Sequence, residues 1–494
     1  MQPRSLRLSW PKAGDRRRSR VGKSPAAGSQ HQKDNTHIIH VSYRDMQMHY
    51  HFNSPVAVSV APPILAPPLL WNPANLNTGE QELLHHFQTA ASRSLTVFGH
   101  NPQELGNTII RITLASNSPA ATAVLRSLLA LSALQRDGVH IHAAELKISA
   151  PRALAALSPP SLLSASSSSS PSHSALSAEP IEATCMQHVA AGMLLLSIEV
   201  HQSSCTSEDW TRYLAMVKDV IQAAGLLELG HKNADLALLL DWVYYHDVLA
   251  RFSLRHWHTG WAKGTPTYRA KLPQPQPGAL VSPKMALLEL LSEVCDAVSA
   301  SRQNRFPDNH EYNNALLILD WRIRTLNLFP NNSSNKMEID ETEQESNLIT
   351  ELYQLSTLIY LARSSENLLS STTTSKPSKN GNINNRTKVQ DYINKGFSLL
   401  AEVKSCPRQF PIFILGAEAH SDQHRVLILD VISRTEKEAE SRSFNHVRLL
   451  LQAIWAQYDL GAGGGPAMQG TGQWGYWDKM SYMISCCSVL PTFV

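Results

Sequence analysis

Residues 235–256, Asp-Leu-Ala-Leu-Leu-Leu-Asp-Trp-Val-Tyr-Tyr-His-Asp-Val-Leu-Ala-Arg-Phe-Ser-Leu-Arg-His, carry the clearest structural signal in the chain. Leu236, Leu239 and Val243 recur at i, i+3 and i+7, a spacing that places apolar side chains on one face of an α-helix. The stretch is too long for a typical strand and contains neither glycine nor proline. It therefore predicts a long helix, and the sequence on both sides repeats the pattern.

Helical periodicity continues outward from this stretch in both directions. Gly138 separates two segments by so few residues that they should lie antiparallel. Strand-like alternation is scarce. The sequence therefore predicts an all-α fold, a large helical domain of antiparallel helix pairs with disordered polar insertions. The other predicted helices lie at about residues 82–98, 119–135, 140–157, 181–200, 207–226, 283–300, 311–328, 344–367, 388–403, 411–419, 422–440 and 444–458.

Composition excludes several classes of protein. Of the 494 residues, 43% are apolar and 17% charged, which is enough apolar material for a large core and too much for a fully disordered chain. The apolar stretches fall short of the roughly 20 residues that cross a bilayer, so we expect no membrane partner. Six cysteines without any C-x2-C pair exclude a disulfide scaffold and a zinc finger.

Local changes in composition predict three regions. Residues 1–36 form a basic, disordered segment. Residues 37–78 form a linker rich in proline, which favours extended backbone. Residues 79–494 form the helical domain. Its predicted flexible insertions, rich in Ser, Pro, Asn or Gly, lie near residues 158–180, 330–346, 370–386 and 461–472.

Basic side chains are concentrated near the amino terminus, although the net charge of the whole chain is only +3. A short basic run is typical of a nuclear-localisation signal, of contacts to the DNA backbone, or of a solvated tail. Such a run can strengthen DNA binding but cannot read bases. The candidate contacts are Arg16, Arg17, Arg18, Arg20 and Lys23.

Two clusters suggest chemistry, and each has a plainer interpretation. His246 and Asp247 are a candidate catalytic pair, but such residues are more often a satisfied polar pair in a helical core, and no G-x-S-x-G motif accompanies them. His420 and His424 have the i, i+4 spacing of a metal site, but no third ligand is evident, so a surface helix start is preferred. We expect no catalytic residue, no metal ligand and no enzyme.

Several stretches together resemble one known family. Residues 6–11, Leu-Arg-Leu-Ser-Trp-Pro, and the basic run after them resemble the segment that follows the zinc cluster in fungal zinc-cluster transcription factors. Residues 128–133 and 241–250 resemble helices of the fungal-specific transcription factor regulatory domain, and residues 444–459 resemble its closing Trp-containing helix. The individual motifs are degenerate, but their order and spacing extend the resemblance over nearly the whole chain.

The resemblance implies a nuclear regulator of transcription whose partners are the transcription machinery or a partner regulator, with a homodimer possible. Family members read DNA through six cysteines that hold two zinc ions, and those cysteines are absent here. The chain starts where that cluster should just have ended, which fits either a truncated gene model or a genuine short form. Zinc is therefore expected only with an additional amino-terminal cluster. DNA contact is expected only through that cluster or, weakly, through the basic arm.

The resemblance leaves the role of one aromatic and polar cluster open. Trp242, Tyr245, His246 and Asp247 could line a pocket for an effector or could simply pack the core. Two other functions also stay open. One is a helical protein-interaction module without DNA binding, acting as a dominant-negative partner or a scaffold. The other, less favoured, is a helical enzyme that uses His246 and Asp247.

Overall fold

The computed structural model describes residues 76–95, 98–155, 178–202, 209–257, 283–302, 309–326, 328, 341–371, 379–438, 444–462, 476–487 and 490–494. These residues form sixteen α-helices and one short 3-10 helix, Ala91–Ser94, and contain no strand. The predicted all-α class is therefore confirmed.

The α-helices are numbered in chain order. The first eight are α1 (Thr78–Thr89), α2 (Pro102–Leu114), α3 (Pro119–Asp137), α4 (Ile141–Ala155), α5 (Ala178–His201), α6 (Asp209–Ala223), α7 (Leu226–Leu229) and α8 (Ala234–His256). The second eight are α9 (Pro283–Arg302), α10 (Asn309–Thr325), α11 (Glu341–Ser371), α12 (Lys379–Glu402), α13 (Gln409–Ala417), α14 (Asp422–Glu438), α15 (Asn445–Ala462) and α16 (Tyr476–Ser485).

Helix α8, which contains the stretch quoted first, is the central element. It packs against α2, α5 and α6 from the first half of the chain, and against α9 and α16 from the second half. Its side chains are buried on nearly every side, from Leu236 at one end to Phe252 near the other. A helix that is buried all round belongs to the centre of a large core. The two halves consequently share one continuous apolar cluster.

Helices α3 and α4 are joined by a short turn at Gly138, as predicted. Gly138 has φ +80°, a left-handed conformation that glycine adopts without strain, and its N–H closes α3 on the carbonyl of Leu134 at 3.0 Å. The two helices pack along each other, α5 packs on α3, and α6 packs on α5. These four helices form one layered unit in the first half of the fold.

Helix α5 is apolar enough over Ile181–His201 to meet the length and hydropathy criteria for a membrane span. Most of that segment is nonetheless buried inside the fold, against α3 and α6. A helix that is apolar all round is expected at such a core position.

The sequence prediction missed three helices, α2, α16 and the single-turn α7. Helix α2 has clear start signals, because the Asn101 side chain accepts a hydrogen bond from the N–H of Gln103 at 2.9 Å and Pro102 occupies the first turn. The predicted helix 82–98 was correspondingly too long, since α1 ends at Thr89 and the 3-10 turn follows. Helix α16 buries Met480 and Ile484 at i, i+4. That pattern is too short to stand out from the sequence alone.

Parts of the predicted insertions are helical, which corrects their boundaries. Helix α12 begins at Lys379, inside the predicted insertion 370–386, and α11 begins at Glu341, inside 330–346. The Asn-rich sequence has weak helix propensity, but Ile393 and Leu400 anchor α12 in the core. Once a helix is nucleated by packing, its extension costs little. Similarly, α5 begins at residue 178 and α15 continues to residue 462.

The remainder of the four insertions, the predicted basic segment 1–36 and nearly all of the predicted linker 37–78 lie outside the described residues.

Candidate functional site

The four side chains of the predicted pocket or core lie in the middle of α8. Trp242, Tyr245, His246 and Asp247 are each at most 2% exposed. Their positions follow from a well-defined helix start, where the Asn233 side chain accepts hydrogen bonds from two first-turn N–H groups at 3.1 and 3.2 Å. From that start, about three turns of helix bring the cluster to the centre of the core.

Asp247 is the centre of a buried ion network. The Lys218 ammonium donates to one carboxylate oxygen of Asp247 at 2.7 Å, and Arg251 lies 3.4 Å from the other oxygen, as the i, i+4 spacing allows. Arg251 also donates to the Ser292 hydroxyl at 2.6 Å. Two cations thus lie beside one buried carboxylate. The network joins α6, α8 and α9, so its clearest role is to fix these three helices together.

His246 has a different partner from Asp247. Its Nδ1 lies 2.9 Å from the carbonyl oxygen of Trp242, which leaves that nitrogen to act as the donor. Burial lowers the pKa of His246 to about 4, because the charged imidazolium is poorly solvated in the core. The ring is therefore neutral at physiological pH. A neutral imidazole bonded to its own helix, beside a carboxylate held by two cations, is the arrangement of a packed core.

Tyr245 is surrounded by aromatic and cationic groups from distant parts of the chain. Phe98 stacks on it with ring centroids 5.8 Å apart, and the Arg408 guanidinium lies 5.5 Å from its ring centre. Tyr353 in turn contacts Phe98, with centroids 4.7 Å apart. Burial raises the pKa of the Tyr245 hydroxyl, so it stays protonated. The indole nitrogen of Trp242 makes no hydrogen bond within the described residues.

A half-open groove of about 470 Å³ lies apart from this cluster, among α3, α4, α5 and α6. Its wall on α4 includes Lys147, Ile148 and Pro151, and Tyr213 of α6 also lines it. Volumes of this size are typical of small-molecule sites.

The two candidate histidines form aromatic contacts, and His424 lies in α14 whereas His420 precedes the helix. His424 stacks on Phe397 with ring centroids 3.8 Å apart, and His420 stacks on Tyr458 at 4.4 Å. The two rings thus face different neighbours. No group of three or more metal-ligating side chains occurs among the described residues. The five candidate contacts of the basic arm, residues 16–23, lie outside the described residues.

Comparison with known proteins decides what this helical fold is. The sequence model described as "Fungal specific transcription factor domain" matches residues 82–487, which is most of the chain. The chain belongs to this fungal-specific transcription factor domain family. It is also similar to "Transcription factor iacI" of Pestalotiopsis fici, with 38% identity over 434 residues that cover 86% of this chain and 98% of that protein. No solved structure matches.

Family membership confirms the resemblance stated from the sequence and makes the chain a fungal-type transcription regulator. The matched residues run from α1 to the end of α16. They therefore include the α8 cluster, its ion network and the groove, all of which belong to the fungal-specific transcription factor domain rather than to a separate module.

Sequence reasoning missed the partners of the α8 cluster more than the cluster itself. Lys218 was not singled out, although a signal existed: it follows Leu214 by four residues, on the buried side of an otherwise amphipathic helix. A lysine on an apolar face is rarely buried without a partner, so it predicts a nearby carboxylate. Arg408 carried no comparable signal. It meets Tyr245 only because α8 and α13 converge in the fold.

Proposed function

We propose that this chain is the regulatory domain of a fungal transcription factor, and that it acts in the nucleus by binding rather than by catalysis. The family match over residues 82–487 carries this proposal. The contacts of the α8 cluster support it, since His246 and Asp247 have structural partners instead of a shared catalytic geometry. Sequence-specific DNA contact would come from a zinc cluster outside the matched residues, and the basic arm would add weak contacts to phosphates.

The experiment is a tethering assay. The 494-residue chain, fused to a bacterial operator-binding domain, should change transcription of an operator-linked reporter in a fungal host at least threefold. The unfused chain should leave the same reporter unchanged, because only the fusion is tethered to the operator. A reporter without the operator is the control. No change with a stably expressed fusion would contradict the regulatory role.

A helical protein-interaction module is the second candidate function, and one surface favours it. Leu317, Ile318 and Trp321 of α10 are 58–66% exposed and share one side of the helix, whereas Tyr312 and Ile323 on the other side are buried. An exposed apolar cluster on a folded helix is typical of a protein-binding surface.

The two functions are distinguishable by the same surface. Trp321→Ala, combined with Leu317→Ser, should leave thermal unfolding nearly unchanged because both residues are exposed. If the module function is correct, the double variant should lose a partner captured by the wild type from the nuclear extract of its host. Glu311→Gln and Asn313→Ser, at two exposed polar positions of the same helix, provide the matched control. Equal capture by both double variants would contradict the module function for this surface.

The role of Trp242, Tyr245, His246 and Asp247 stays a prediction, either as an effector pocket or as core. We favour the core, because each is buried and three of them contact neighbouring helices or their own backbone.

A further inference from the structure

The groove among α3–α6 has the size and composition of a ligand site. Its volume is about 470 Å³, inside the range of about 300–1,000 Å³ typical of small-molecule sites. Fourteen of the described residues line it. A stable protein–protein interface uses about 20–30 residues on each side, so the groove is small for a folded partner. Four helices contribute to its walls, which gives it concave sides rather than a flat face.

The groove is apolar and close to charge-neutral. Leu134, Ile148 and Ile198 supply aliphatic surface, and the ring of Tyr213 supplies an aromatic one. Its cation Lys147 is neutralised by an ion pair with Glu199, which is 4% exposed. Arg152 and Asp209, both lining the groove, carry opposite charges. A ligand with a net charge would gain little binding free energy here, because no uncompensated opposite charge faces it. An uncharged apolar molecule would match the groove better.

One backbone acceptor in the groove lacks its usual helical partner. Pro151 lies inside α4 and has no N–H, so the carbonyl of Lys147, four residues earlier, cannot receive the normal helical hydrogen bond from it. Both residues line the groove, so this carbonyl lies on the groove side of α4. The same side of the fold presents the Gln202 amide and the Asp209 carboxylate, which are also acceptors. The wall thus has more acceptors than a purely apolar ligand would use.

The Tyr213 hydroxyl is a further polar group in the wall of the groove. Burial, together with the nearby charges of Glu199 and Asp209, raises the pKa of Tyr213 to about 12, so the phenol stays protonated and uncharged. It can therefore donate to a ligand oxygen or accept from a ligand donor.

From these features we infer that the groove binds an uncharged, largely apolar small molecule that carries a hydroxyl or N–H donor, with the Lys147 carbonyl as an acceptor. This site is separate from the α8 cluster, since no residue of α8 lines the groove. It goes beyond the proposed regulatory function and does not depend on it.

The test is isothermal titration calorimetry on the 494-residue protein with two probes of similar size and shape. 2-Naphthol carries a hydroxyl donor, and 2-methylnaphthalene replaces it with a methyl group. We expect the protein to bind 2-naphthol at least fivefold more tightly. Failure to bind either probe would overturn the inference, and so would equal affinity for both.

Variants locate the binding. Ala144 is exposed and lines the groove, so Ala144→Trp should fill it and weaken both probes at least tenfold. Glu145→Trp adds the same bulk at the next exposed position of α4, outside the groove, and should leave both affinities unchanged. Ile148→Gln, a second groove variant at a 52%-exposed position, should weaken both probes even if Ala144→Trp folds poorly. Wild-type affinity in both groove variants would show that the probes bind elsewhere and would overturn the assignment to this groove.

Pro151→Ala tests the acceptor. It restores an N–H opposite the Lys147 carbonyl, so the carbonyl becomes satisfied within the helix. The preference for 2-naphthol over 2-methylnaphthalene should then fall towards one. An unchanged preference would overturn the assignment of the donor-bearing class. The tethering assay reads transcription instead of binding, so either proposal can fail without the other.

Discussion

At the scale of single residues, the stability of the fold depends on the cationic partners of the buried Asp247 carboxylate. Lys218→Met removes one of the two cations beside a fully buried carboxylate, and we expect a loss of about 3 kcal/mol in the free energy of unfolding. Adding Asp247→Leu removes the buried carboxylate that needs a cation. The double variant should therefore be more stable than Lys218→Met alone. Urea unfolding followed by circular dichroism measures both. A double variant less stable than the single one would contradict this account of the network.

Two buried histidines predict how stability depends on pH. Burial lowers the pKa of both His201 and His246 from 6.5 to about 4. Between those values the unfolded chain binds protons that the folded chain does not, so their contribution is intact above about pH 6.5 and is lost as pH falls towards 4. A shift of this size corresponds to about 3 kcal/mol for each ring.

The measurement is the urea midpoint at pH 7.5 and at pH 5. We expect a lower midpoint at pH 5, and a smaller decrease in His201→Leu, because that variant has one fewer ring to protonate. His231→Gln is the control, because this histidine is exposed. An equal decrease in wild type and His201→Leu would exclude His201 as a source of the effect.

At the scale of elements, close helix contacts depend on small residues. A Cβ on Gly192 of α5 would lie 2.4 Å from a methyl group of Val217 on α6. The Val217 side chain therefore packs directly on the backbone of α5 at this glycine. Gly192→Ala should therefore cost about 1–3 kcal/mol, although alanine favours helix over glycine. Gly79→Ala on α1 is the control, since the nearest described atom to its Cβ would be at an ordinary contact distance of 3.4 Å. Thermal unfolding should show a lower midpoint for the first variant alone.

Elements also show where sequence reasoning succeeds and where it stops. Helices α3 and α8 were predicted closely because proline, glycine or a long apolar period marks them. The start of α12 was placed nine residues late, since packing at Ile393 and Leu400 extends a helix through Asn-rich sequence of weak propensity. The i, i+4 pair of Asp247 and Arg251 was predictable because it is local.

Contacts between distant elements were beyond the sequence. Nothing in a single sequence indicates that Arg408 would lie over the ring of Tyr245, or that four helices would leave a groove beside Pro151. The proline itself was visible, but its effect on the Lys147 carbonyl matters only where that side of α4 faces a cavity. The sequence therefore identified the residues of the α8 cluster but not the distant residues that contact them.

At the scale of the whole molecule, the last described segment closes the core. Phe493 is fully buried and packs on Phe413, with ring centroids 4.5 Å apart, and on Phe252 at 5.3 Å. Phe493→Ala should cost about 3–5 kcal/mol, as for other buried aromatic truncations. Phe493→Leu, which keeps much of the volume, should cost less. Chemical unfolding measures both, and equal losses would contradict tight packing at this position.

The hydrogen bond from the Trp210 indole to the carbonyl of Leu490, 3.0 Å long, spans 280 positions of sequence. During translation, the surface of α6 that contacts residue 490 stays uncovered until almost the whole domain has left the ribosome. Contacts of such high sequence separation slow folding and leave apolar surface open in the meantime. A newly made chain of this protein should consequently depend on chaperones, and truncation before residue 490 should yield aggregates rather than a smaller folded domain.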